Sequence, residues 1–244
     1  MFELTLSFDN GPDAETTPFV LDELAARDVK ATFFVIGRQA ERPGALAMLA
    51  RAQAEGHWIG NHSWTHSVPL GYREEPDIVE AEIVRTQRLI GAYADRTKLF
   101  RPFGGGGNLD RRLLDPTVVD HLRAEGYTCV LWNAVPRDWA NPDGWVEVAL
   151  RQVNERPWTL MVLHDLPTGA MRHLPRFLDA VTAQGGRLRQ DFPPDCLPIV
   201  AGRVTRPIGD IVTETTGETT GETTGETSGI AMQRTTGSDA NAPT

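Results

Sequence analysis

Five short segments carry residue types able to do chemistry together. Asp9 and Asn10 stand before Gly11-Pro12, so a carboxylate and an amide precede an enforced turn. Taken alone, such a segment equally suits plain turn chemistry. His62 and His66 lie four apart in Asn61-His-Ser-Trp-Thr-His66. One helical turn there would aim both imidazoles the same way, a spacing able to grip a metal. His57 nearby shows that histidine is not rare in this segment. Phe100-Arg-Pro-Phe-Gly104-Gly-Gly-Gly107 offers a fixed cationic fork in Arg101 and glycines that let backbone approach a ligand; a surface loop is the bland alternative. Arg137-Asp-Trp139 and Leu163-His-Asp165 add a carboxylate, an indole and an imidazole. Each also has a structural use as turn, cap or core.

What must position these residues is an alternation of short β-rich runs and longer amphipathic stretches. Strands are predicted near 4–8, 31–35, 58–60, 98–100, 128–131, 159–163 and 187–188. Helices are predicted near 15–27, 44–55, 76–94, 115–125, 143–155 and 172–184. Gly56 and Gly126 stand where helices stop, and Pro43 where a first turn tolerates it. Alternating β and α elements leave a closed barrel or an open doubly wound sheet. Polar segments follow several different strands, as in a barrel whose strand ends share one mouth, and no GxGxxG follows the first strand. The expected fold is therefore α/β, a TIM-like barrel of seven strands in one domain over residues 1–212.

Composition excludes other classes. The 244 residues are 40% apolar and 23% charged, ordinary for a globular protein. Net charge is -9, and the segment from Thr213 onward holds Glu214, Glu218, Glu222, Glu226 and Asp239 against Arg234 alone. No basic stripe remains to support a nucleic-acid partner. No apolar run approaches a membrane span, and the opening MFELTLSFDN lacks a cationic start and a long apolar core, so a cytoplasmic location without membrane association is expected. Cys129 and Cys196 make no disulfide framework and no CxxC site. Residues 213–244 repeat a Glu-Thr-Thr-Gly unit with almost nothing to bury and are expected to be a disordered tail.

The five segments, in this order, resemble the polysaccharide deacetylase family, the NodB-like carbohydrate esterases, over residues 4 to about 190. The resemblance rests on Ser7-Phe-Asp-Asn-Gly-Pro12, Gly56-His-Trp-Ile-Gly-Asn-His62 with His66, Arg101-Pro102, Asp138-Trp139 and Val162-Leu-His-Asp165. It implies a distorted (β/α)7 barrel that hydrolyses N-acetyl groups with one divalent metal, zinc foremost. By the same resemblance Asp9 is the catalytic base, Arg101 its partner, His164 the general acid and Asp138 the carboxylate behind it. His62, His66 and Asn10 take the metal-binding positions, while Phe103, Gly104, Trp139 and Leu163 are the expected substrate contacts. The substrate implied is a small molecule or oligosaccharide carrying an acetamido sugar.

Two departures qualify this. The family's usual aspartate pair in the first motif is here Asp9-Asn10, so a neutral amide stands where a carboxylate ligates the metal. Two imidazoles and an amide bring no negative charge to a dication, so the expected metal is weakly bound or absent. In the third motif Gly104 replaces the usual aromatic, which leaves substrate identity open. Two other readings compete: a carbohydrate-binding relative without activity, and a metal-free amidohydrolase acting on a small ureide or formamide.

Overall fold

The structure is a computed structural model, and it describes residues 1–214. The central strand β1 (Glu3–Asp9) is buried along almost its whole length because it is covered on both faces. Its alternation sorts the side chains. Leu4, Leu6 and Phe8 enter the largest apolar cluster, with Leu21 and Leu24 of α1 (Thr16–Ala25), Leu49 of α3 (Ala45–Ala54) and Phe177 and Leu178 of α7 (Leu174–Ala183). Thr5, Ser7 and Asp9 point the other way, into the barrel, and are buried polar groups.

Around β1 run β2 (Thr32–Val35), β3 (Trp58–Asn61), β4 (Leu99–Phe100), β5 (Thr128–Cys129) and β6 (Trp158–His164). The sheet order is β6-β1-β2-β3-β4-β5, and every pairing in it is parallel, so all six carboxyl ends face one side. Among the described residues the ring closes through a single bridge between Ala134, after β5, and Met161 of β6. A second distortion lies at β1, whose residues 3–5 pair with β7 (Arg187–Arg189) while residues 7–9 pair with β2. All seven predicted strands are present. The structure adds a hairpin of two-residue strands, β8 (Ile199–Val200) and β9 (Arg203–Val204), antiparallel to the edge of β5. The barrel interior is filled by Phe34, Leu99, Val130, Leu160, Phe192 and Cys196.

All six predicted stretches are helical; of the remaining three, α5 (Pro116–Ala124) and α6 (Trp145–Gln152) are regular. At the start of α5 the Asp115 carboxylate accepts the Thr117 N–H at 2.7 Å, with Pro116 in the first turn. Gly56 and Gly126 take φ of +88° and +72°, the left-handed stop that glycine adopts without steric cost. A short α2 (Gly37–Ala40) is an addition to the predicted elements. The stretch predicted as one helix over 76–94 starts as a π-helix over Val79–Val84 and continues as α4 (Arg85–Ile90). Both cysteines are buried free thiols. Among the described residues no helix is long and apolar enough to cross a membrane. Val212 bridges Leu114 and Thr213 N–H donates to Leu114 O, so ordered pairing reaches the start of the expected tail; residues 215–244 lie outside the described residues.

Candidate active site

One cavity of about 280 Å³ opens at the carboxyl ends of the strands, lined by Asp9, Asn10, His62, His66, Phe103, Gly104, Trp139 and His164 together with Trp132, Val162 and Leu166. All five sequence segments therefore converge through lining residues. Gly104 stands against the Trp132 ring, where any Cβ would meet the indole at 2.5 Å.

Behind the cavity the two charged pairs form as expected. Arg101 is fully buried, and its guanidinium lies over the Phe34 ring at 4.0 Å. Nη1 donates to Asp9 Oδ1 at 2.8 Å and Ser7 Oγ at 2.6 Å, Nε to Val130 O at 3.2 Å and Nη2 to Leu131 O at 3.0 Å. A cation so enclosed is tolerable because each face of its fork is occupied. On the other side Asp138, also fully buried, holds His164 twice, accepting its backbone N–H at 2.9 Å and its Nδ1–H at 2.8 Å. That fixes the tautomer and leaves Nε2 for the cavity. Burial opposes charge on His164, but the hydrogen bond and charge of Asp138, with help from Asp9 and Asp165, prevail and raise its pKa above the usual histidine value.

His62 and His66 meet differently from the expectation. Residues 62–66 form a loop, not a helical turn, with Ser63 and His66 at φ of +63° and +51°. The loop is held by Glu82 in the π-helical turn, almost fully buried, whose carboxylate accepts Trp64 N–H at 2.9 Å, Thr65 N–H at 2.8 Å and Thr65 Oγ1–H at 2.7 Å and pairs with Arg73 at 2.8 Å. The imidazoles still come together, their centroids 4.6 Å apart, and Phe103 covers His66 at 3.9 Å. Burial pushes both pKa values down to about 3, so both rings are neutral. His57 is a core histidine that accepts Ala31 N–H through Nδ1 at 3.1 Å.

One expected substrate contact is corrected. Leu163 is fully buried in the outer apolar cluster, because alternation along β6 turns Val162 and His164 inward and Leu163 toward the helices. Val162 lines the cavity in its place. Sequence reasoning also missed Ser7, Glu82, Trp132 and Asp165. Asp165 is buried behind the Asp9-Asn10 loop, accepts the Thr17 hydroxyl, and touches Gly11 so closely that a Cβ there would lie 2.1 Å from its carboxylate. Burial raises its pKa to about 7.

The sequence pattern that defines polysaccharide deacetylases matches residues 2–130. The chain belongs to the polysaccharide deacetylase family. Among its curated relatives, a peptidoglycan-N-acetylglucosamine deacetylase of Bacillus cereus is 34% identical over 166 residues, covering 66% of this chain and 72% of that protein. A chitooligosaccharide deacetylase of Sinorhizobium fredii is 36% identical over 166 residues, covering 66% and 70%. Among solved structures, a family 4 acetyl xylan esterase from Clostridium thermocellum in complex with a cobalt ion superposes with a TM-score of 0.62 at 29% identity, covering 77% of this chain and 87% of that one.

The cavity of this deacetylase-family chain fits a divalent ion with a weak donor set. Among the described residues no three His, Cys, Asp or Glu side chains gather as a metal-holding group. Asn10, at the expected third metal position, lines the same cavity, and its Oδ1 is buried without a hydrogen-bond partner. Asn10 itself is held at φ of +78° by its N–H to Phe34 O. His62 Nδ1–H donates to Arg101 O at 2.7 Å, so its Nε2 presents a lone pair to Asp9 Oδ2 at 3.5 Å. Two acceptors facing each other suit a cation between them, and the unpartnered Asn10 oxygen belongs to a residue lining the same cavity.

Proposed function

We propose that this chain hydrolyses the acetamide of an N-acetylated amino sugar, within an oligosaccharide, to acetate and a free amine. The observation that carries this reading is that Asp9 and His164 line one cavity, each backed by a buried group of opposite charge.

Asp9 serves as the base. Arg101 occupies its Oδ1, so Oδ2, on the His62 side, takes a proton from the attacking water. The water oxygen bonds to the acyl carbon, and the carbonyl electrons move onto the acyl oxygen. The Gly104 N–H, which has no acceptor among the described residues and belongs to a cavity-lining residue, serves as donor to that oxyanion. His164 Nε2–H then protonates the departing nitrogen as the C–N bond breaks, and Asp138 holds the imidazole in place. His62, His66 and Asn10 would hold a divalent ion, zinc by donor type, which when bound supplies Lewis-acid polarisation of the acyl oxygen. Phe103, Trp132 and Trp139 give the sugar ring apolar faces to pack against.

Acetate release from N-acetylated chitooligomers, measured beside ureides and formamides, tests the reading. Release from the oligomers alone is expected, and hydrolysis confined to ureides or formamides would overturn it. Asn10 favours the competing reading of carbohydrate binding without turnover. That reading requires oligomer binding with no acetate released even with added zinc.

A further inference from the structure

The strand that delivers Asp9 lies between β2 and β6, so the turn after it has a neighbour on each side. On the β2 side main chain alone fastens it. Asn10 N–H donates to Phe34 O and Ile36 N–H donates to Gly11 O, both at 3.2 Å. Asn10 nevertheless sits at φ of +78°, where a residue with a side chain stays only if its surroundings fix it.

On the β6 side the fastening is a relay of side chains. Asp165, one residue beyond the end of β6, is buried and accepts the Thr17 hydroxyl through Oδ2. Thr17 Oγ1, buried in α1, accepts in turn the Asp13 N–H at 2.8 Å. Asp13 ends the turn and begins the helix, its Oδ1 accepting Thr16 N–H at 2.8 Å and its O accepting Thr17 N–H at 3.1 Å. Between these points the Asp165 carboxyl packs against Gly11, where a Cβ would overlap its Cγ and both of its oxygens. The strand that bears His164 is thereby tied to the turn that bears Asp9 and Asn10.

Asp165 does not line the catalytic cavity, and its Oδ1 has no hydrogen-bond partner among the described residues. A buried carboxyl left half-paired weakens a fold, so its place here is explained by the turn it holds.

We propose that Asp165 and Thr17 are a positioning pair, which holds the turn that presents Asp9 and Asn10 to the cavity. The proposal rests on the deacetylase reading above and deepens it, adding residues that reach neither sugar nor ion. Partners of this outer kind orient the groups in front of them, and their loss costs about 10- to 100-fold in metal affinity or rate.

The test uses Thr17→Val, which keeps the branched shape and removes the hydroxyl, beside Thr17→Ser, which keeps the hydroxyl. Asp165→Leu and Asp165→Asn make the same comparison at the other end of the relay. Zinc affinity is measured by competition with a chromogenic chelator, and kcat and KM by acetate release from an N-acetylated chitooligomer, each beside the urea midpoint. Thr17→Val and Asp165→Leu should each lower zinc affinity and kcat at least about tenfold with KM little changed. Thr17→Ser and Asp165→Asn should recover most of both. Should Asp165→Leu not fold, the two Thr17 variants decide.

A folded Thr17→Val chain with unchanged zinc affinity or unchanged kcat would overturn the proposal, whatever its urea midpoint. A loss carried by KM, or an equal loss in Thr17→Ser, would overturn it too. If the wild-type chain releases no acetate but zinc affinity falls in Thr17→Val, the deacetylase reading fails while the positioning pair stands. If acetate is released and neither quantity responds, the pair fails while the deacetylase reading stands. A wild-type chain that binds no zinc is judged on kcat, and one that neither binds zinc nor releases acetate overturns both.

Discussion

Asp9 and His164 are Cα partners at the last rung of the parallel β1–β6 ladder, so adjacent strands deliver a carboxylate and an imidazole to the same cavity. Their chemical difference comes from what stands behind each: Arg101 behind Asp9, Asp138 behind His164. A carboxylate and an imidazole are thus set by the fold at the ends of adjacent strands.

The pH profile should report the donor. His164 is raised above the usual histidine pKa, chiefly through Asp138, against the opposing effect of burial. The imidazolium therefore persists past pH 6.5, and kcat/KM should fall on the alkaline side only above that value. Asp138→Asn should move this alkaline limb to lower pH and reduce the rate at neutral pH. An unmoved limb would separate Asp138 from the acid role of His164.

Metal affinity should respond to one atom. Asn10→Asp replaces an orphaned neutral oxygen with an anionic one on a residue lining the same cavity as two neutral imidazoles. The variant should retain zinc through dialysis more tightly by at least about tenfold, the scale that even outer-shell changes reach. Competition with a chromogenic chelator measures this directly, and equal affinities would place the metal away from Asn10.

Glu82 should matter to both stability and metal binding. Its carboxylate holds two backbone amides and a hydroxyl of the loop between the histidines, and pairs with Arg73. Glu82→Gln weakens that pairing at a nearly fully buried position, with an expected loss of about 3 kcal/mol in urea unfolding. Zinc affinity should fall with it, because the histidine loop loses its anchor. Loss of neither would leave the loop held by its own backbone.

Much of this is legible in the sequence because long, strongly patterned elements report themselves. The seven strands and six helices are readable from branched runs, amphipathic spacing and the glycines at 56 and 126. The β8–β9 hairpin is not, since strands of two residues carry no periodicity. Closure through the one bridge at Ala134 leaves no sequence pattern either. Leu163 differs from its expected role by one step in the strand alternation, which the inward-facing His164 already fixes. Glu82 is hidden as one acid among several in the 76–94 stretch. Its position between Ala81 and Ile83, next to the buried face of that helix, is the available signal.

Asp165 predicts a stability profile of its own. Its folded pKa, about 7, lies above the unfolded value of 3.8, so the folded state holds a proton that the unfolded chain releases. Its contribution is fully present below about pH 4 and is lost as pH rises through about 7. Asp165→Asn, which cannot ionise, should flatten the decline in unfolding free energy between about pH 4 and pH 7. A wild-type profile equally flat would mean that the carboxylate is stabilised as an anion.

The role of Asp9 as base is tested most directly by acetate release from an N-acetylated chitooligomer, compared between the wild-type chain and Asp9→Asn, with far-UV circular dichroism to verify that the variant is folded. Release by the wild type is expected, with a loss of about 10²- to 10⁴-fold in the folded variant. An unchanged rate in folded Asp9→Asn would contradict that role.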